Sequence, residues 1–120
     1  MALSAGRYDI TIEQGATFSL VISYKDSNNA VIDMTTSGRD VRMTIKDTVG
    51  GATIASTEGS GPTLSKTRAA SGNNITIEMT ETNTKALDFD TAVYDLESVN
   101  NATVDRILEG KVKLSREVTT

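Results

Sequence analysis

The chain has 120 residues and a net charge of −4; 38% of it is apolar, only 4% is aromatic, and there is no tryptophan, histidine or cysteine. Without cysteine and histidine, disulfide frameworks, zinc sites, imidazole bases and the common nucleophilic triads are excluded. The 12 lysines and arginines are scattered, which argues against nucleic acid as the main partner.

The length fits one domain, and the lean aliphatic composition implies that neighbours contribute to stability. Met1 to Gly6 lacks the apolar stretch of a signal peptide, and no run approaches a membrane span, so no membrane partner is expected. The expectation is a protein made in a cytoplasm and kept there or packaged from it.

In chain order, residues 1–6 read as an arm whose only large apolar side chain is Leu3. Arg7 to Glu13 alternates, with Tyr8, Ile10 and Ile12 on one face of a half-buried strand. Gly15 then supplies the permissive dihedral of a turn or bulge. Thr17 to Lys25 has the strongest strand pattern, with Phe18, Leu20, Ile22 and Tyr24 in phase. Asp26 to Asn29 is a turn in which short polar side chains bond their own backbone. It lacks the spaced ligands and closing glutamate of a calcium loop.

Val41, Met43 and Ile45 alternate with Arg42, Thr44 and Lys46, whose basic outer face suits solvent or an acidic partner. Ala52 to Thr57 is a weak strand centred on Ile54. Glu58 to Asn74 is polar and glycine-rich, with room for one short edge strand and the character of a contact loop. Ile75, Ile77 and Met79 form the next strand, and Thr80 to Leu87 fits a short helix capped by Thr80. Asp90 to Glu97 follows, then a turn at Asn100 to Ala102. The closing strand runs from Arg106 to Leu114, and residues 116–120 form a polar tail. The expected domain therefore spans residues 7–115.

Seven or eight short strands with regular turns predict an all-β, antiparallel sandwich, with a small barrel as the alternative. The spacing of Asp90, Ala92, Tyr94 and Leu96 resembles strand F of immunoglobulin-like sandwiches. There a tyrosine hydroxyl bonds back to an upstream backbone group. By this resemblance Tyr94 and Leu96 are structural, and the helical turn precedes strand F.

Asp95 and Glu97 share a strand face at a spacing a glycosidase pair needs, but no aromatic sugar platform accompanies them, so an outward polar face is expected. No enzyme activity and no cofactor or metal are expected. Asn74-Ile75-Thr76 and Asn101-Ala102-Thr103 match the glycosylation pattern without a secretory context.

Asp9 to Phe18 matches the pattern D-x-T-I-x-Q-G-A-T-F that opens a group of small phage virion proteins. Lys25-Asp26 to Ile32-Asp33-Met34, Arg42-Met43-Thr44-Ile45, Tyr94-Asp95-Leu96-Glu97 and Arg106 to Thr119 match that group's later pieces, in order. The chain resembles this group over nearly its whole length. It is also similar, more distantly, to the immunoglobulin-like N-terminal domain of phage baseplate upper proteins.

The resemblance implies a non-enzymatic structural protein of the virion, assembled in the host bacterial cytoplasm and presented in many symmetric copies. It implies a tail, baseplate or neck adaptor that docks or stabilises fibres; the alternative is a capsid decoration (cement) protein clamping neighbouring capsomers. The partners would be other phage structural proteins, namely tail, baseplate, fibre or capsid subunits. Contacts are expected from the arms and the long loop, at Leu3, Arg7, Pro62, Leu64, Lys66, Arg68 and Arg116.

Overall fold

The computed structural model describes residues 6–59 and 62–118; Leu3 and most of the N-terminal arm lie outside them. Among the described residues the strands are β1 (Gly6–Arg7), β2 (Ile10–Glu13), β3 (Phe18–Ile22), β4 (Arg39–Lys46), β5 (Thr53–Ser56), β6 (Ser65–Arg68), β7 (Ile75–Met79), β8 (Thr91–Asn100) and β9 (Thr103–Ser115). One helix, α1 (Glu81–Lys85), separates β7 from β8. The larger sheet has the order β1-β9-β8-β4-β5, with β2 also paired to β9, and the smaller sheet has the order β3-β7-β6. Since β1 and β2 are two halves of one edge strand, the fold is an eight-stranded immunoglobulin-like sandwich with β8 as strand F.

Period-two alternation builds the interior. Val41, Met43 and Ile45 of β4, Ile75, Ile77 and Met79 of β7, and Ala92, Tyr94 and Leu96 of β8 are buried between the sheets. Burying each larger aliphatic side chain stabilises the fold by roughly 1.5–3 kcal/mol, which lets a core with so few aromatics hold. Met34, Leu64 and Leu87, all outside strands, close the ends of this core.

Leu64 corrects an expectation. It is 1% exposed and its N–H donates to the Ser56 carbonyl, so it plugs the core and is not available as a contact. The polar segment around it does carry one short edge strand, β6, as its sparse apolar content allowed. At the segment's end Asn74 is fully buried. Its amide donates to the carbonyls of Tyr24 and Ile32 at 2.8 and 2.7 Å and accepts from the Tyr24 N–H at 2.7 Å. This side chain ties the end of β3 to the Ile32 segment, and the glycosylation pattern beginning at Asn74 is inaccessible.

The turn between β2 and β3 is locked from below. Gly15 has φ +86°, a left-handed conformation that glycine adopts without steric cost. Its N–H donates to the Thr84 hydroxyl, which in turn donates to the Ala16 carbonyl. Thr80 caps α1 by accepting from the Asn83 N–H, so the short helix holds Thr84 under the turn.

The N-terminal strand departs from simple alternation. Both β1 and β2 pair with β9 in parallel, unlike the antiparallel remainder, and at one register, Gly6 with Leu108 and Ile10 with Val112. Between them Tyr8 is 53% exposed although it is in phase with buried Ile10 and Ile12. The cause is Gly110. A Cβ there would stand 2.3 Å from the Tyr8 carbonyl oxygen, so the backbone of Tyr8 occupies the space a side chain would have taken. The Tyr94 hydroxyl donates to that carbonyl at 2.5 Å. Opposite, the Asp9 carboxylate accepts from the Lys111 N–H at 2.9 Å, replacing a ladder bond. The expected hydroxyl-to-backbone bond of Tyr94 is present, but it reaches the N-terminal strand, not the corner just before strand F.

Two variants rank these ties by equilibrium denaturation. Tyr94→Phe is expected to lose about 1 kcal/mol, one net hydrogen bond. Asn74→Ala leaves buried backbone groups unpartnered and is expected to lose more, about 2–3 kcal/mol. Equal losses, or none, would contradict the roles assigned.

Candidate interaction surfaces

The outward face of the larger sheet is a lattice of charge. Cross-strand register places Thr44, Asp95, Glu109 and Arg7 in one row, with Arg42, Glu97 and Arg106 in the next. On the other side of the first row Lys46 and Lys111 flank Val93. Arg42 binds Glu97 at 2.6 Å, and Arg106 stands 3.7 Å from Asp95 and 3.8 Å from Glu109. A shallow depression of about 360 Å³ opens over Val93, Asp95 and Glu109, walled by Lys46, Lys111 and Arg106.

Asp95 and Glu109 are directly opposed across the strands, an arrangement that destabilises a sheet. Burial pushes the Asp95 carboxyl above its usual range, and the neighbouring charges of Glu97 and Glu109 add to this against the pull of Arg106. As expected, Asp95 and Glu97 lie on the outward face, each beside an arginine.

The positively charged residues anticipated as contacts divide sharply. Lys66 donates to Asp40 at 3.0 Å, to Glu58 at 2.9 Å and to the Val41 carbonyl at 2.9 Å. Arg68 donates to the carbonyls of Met34 and Arg39 and stands 3.6 Å from Asp40. Together they bind β6 of the small sheet to β4 of the large one, closing that side of the sandwich. Burial pushes Asp40 and Glu58 up, but hydrogen bonds and charge from Lys66, helped by the Val41 N–H and Arg68 at Asp40 and by the Thr57 hydroxyl at Glu58, outweigh it and both carboxyls end below their usual range. Such groups add stability above the ordinary carboxylate range and lose it as pH falls through their lowered values.

Arg116 is likewise engaged, 3.1 Å from Asp88 and 3.3 Å from Asp90, and it holds the chain beyond β9 against the segment before β8. Of the remaining candidates, Pro62 is exposed, and Arg7 lies on the charged face 3.6 Å from Asp9. Tyr94 and Leu96 are buried, as their structural assignment required. Among the described residues no group of three or more acidic side chains is arranged to hold a metal ion. Asp26 accepts from the N–H groups of Asn28 and Ala30, the self-bonded turn expected there.

Alternation did not reveal Gln14. Its side chain donates to the Leu87 carbonyl at 2.9 Å and accepts from the Glu117 N–H at 3.0 Å. It also missed an apolar groove of about 420 Å³ lined by Ile22, Tyr24, Ile32, Ile107 and Leu108. Two consecutive large apolar residues in an alternating strand were the available sign, and the ladder does slip there, Leu96 facing Leu108 while Glu97 faces Arg106.

No protein-family model matches the chain, and a search of curated proteins gives no match.

The Asp95 assignment carries a pH signature. Because its carboxyl is raised in the folded state, its protonated form stabilises the fold at low pH, and that contribution is lost as pH rises through the folded value. Asp95→Asn should therefore raise unfolding free energy at pH 7 by a few tenths of a kcal/mol. The difference should fade below the carboxylate range; a loss at pH 7 in thermal denaturation would contradict it.

Proposed function

We propose that this chain is a non-enzymatic structural protein of a phage particle, an adaptor at the tail, baseplate or neck that docks or stabilises fibres. The observation that carries the reading is how the motifs shared with small phage virion proteins lie in the fold. Gln14-Gly15, from the first motif, bonds Glu117, from the last, and the Leu87 carbonyl between them in sequence. The Arg-Met-x-Ile motif on β4 and the Tyr-Asp-Leu-Glu motif on β8 are adjacent, Met43 opposite Leu96. Motif pieces far apart in sequence thus cooperate in one sandwich, which supports a resemblance of whole domains.

The architecture suits the task. A rigid sandwich displays a charged sheet face, and charge arranged on a face gives specificity and orientation more than raw affinity. Repetition in a symmetric particle then multiplies a modest single contact into firm attachment.

Quantitative mass spectrometry of purified particles, with particles lacking the protein imaged beside them, tests the reading. The expected result is a low copy number set by tail symmetry, with fibres lost in its absence. Copy number matching the capsid lattice, with particles fragile to heat or low salt, would favour the cement role. Absence from particles would overturn both.

A further inference from the structure

We propose that the outward face of the larger sheet pairs with the same face of a second copy of this chain, the two copies related by a two-fold axis. This contact does not depend on the role proposed above. Two neighbouring rows on the face carry opposite charge. One runs through Lys46, Val93 and Lys111 and ends at Asp9, whose carboxylate meets the Lys111 N–H. The next, two residues along each strand and about 7 Å away, runs through Thr44, Asp95, Glu109 and Arg7. Among the described residues Lys46 and Lys111 form no ion pair, while Asp95 and Glu109 share Arg106 at 3.7 and 3.8 Å.

These rows are complementary to themselves. Half a turn about an axis that crosses the strands midway between them sets each row on its opposite. Lys111 then meets Glu109 of the second copy and Arg7 meets its Asp9, and two-fold symmetry makes each contact occur twice. Lys46 meets Thr44 and Val93 meets Asp95, so no like charges oppose in these rows. In the next rows out Glu97 meets Thr91, and Lys113 meets Arg106. That one like pair lies where the twist of two facing sheets carries the strands apart. The depression of about 360 Å³ spans both rows, with Val93 half-buried in it and Val49, 91% exposed, also lining it. A facing copy would therefore cover apolar surface as well.

Other occupants fit less well. Nucleic acid would set phosphates against Asp95 and Glu109. An unrelated protein would need the same alternation of rows, which a second copy carries already. Residues 1–5, 60–61 and 119–120 hold no charged side chain, so the charge pattern is complete without them. Exposed ion pairs weaken with salt, so the pairing is strongest at low ionic strength or where an assembly holds copies close together.

Sedimentation equilibrium of the full-length protein and of two charge reversals tests this. The unmodified chain is expected to form a dimer at low salt that weakens as salt is raised. Lys111→Glu and Glu109→Lys are each expected to weaken the dimer about tenfold or more, since each turns two attractive contacts into repulsive ones. Glu109→Lys also removes the like-charge pair with Asp95, so its loss of the dimer would not come from loss of the fold. Mixed in equal amounts, the two variants present an acidic and a basic face to each other, and a dimer of one of each is expected to return. A chain that stays monomeric at millimolar concentration in low salt would overturn the proposal. So would a dimer that strengthens with salt, a dimer that both reversals leave intact, or a mixture of the two variants that fails to pair.

Discussion

The Tyr8 carbonyl, held over Gly110 by the Tyr94 hydroxyl, is the contact on which the arrangement turns. It needs a strand position without a side chain, a tyrosine opposite it and a backbone that dips inward. Gly110 and Tyr94 are cross-strand partners, so β8 and β9 present the glycine and the hydroxyl at one level. Burial and the nearby Asp9 charge push the Tyr94 phenol up to about 12, so it remains a donor throughout the physiological range. From that point β2 runs along β9 and closes that side of the sandwich.

The charges follow a similar division of labour. Lys66 and Arg68 join β6 to β4 with bonds to carbonyls as well as carboxylates, and Arg116 fastens the chain beyond β9. Lys66 and Arg68 stabilise the fold by spanning two strands that no backbone ladder connects. On the outward face of the larger sheet, Asp95 opposes Glu109 and is only partly neutralised by Arg106, an arrangement that costs stability. A charge that bridges two elements ties the fold together; a charge set against its neighbour on an open face does not.

Much of the fold was legible because it rests on period two. Phe18 with Leu20, Val41 to Ile45, Ile75 to Met79 and Ala92 to Leu96 each announced a buried face, and Thr80 announced the helix start. Tyr8 broke the pattern because a backbone carbonyl, which alternation does not record, took its place above Gly110. Leu64 looked like a contact because its neighbours are polar, yet the chain turns it inward to fill the sandwich end. Lys66 and Arg68 looked like free charge because all their partners but Glu58, namely Asp40 and the carbonyls of Met34, Val41 and Arg39, lie 25 or more residues away. Contacts at such separations leave no trace in local spacing, and the same is true of Gln14 and Asn74.

The molecule is therefore a sandwich whose N-terminal strand is fixed at one glycine of β9. The unfolding free energy of Gly110→Ala, with tryptic cleavage after Arg7 followed in the same samples, tests that dependence most directly. A methyl group in contact with the Tyr8 carbonyl should cost about 1–3 kcal/mol, as overpacking does, and should release the N-terminal strand to cleavage. Unchanged stability with Arg7 still resistant would show that the crossing over Gly110 is not what holds the strand.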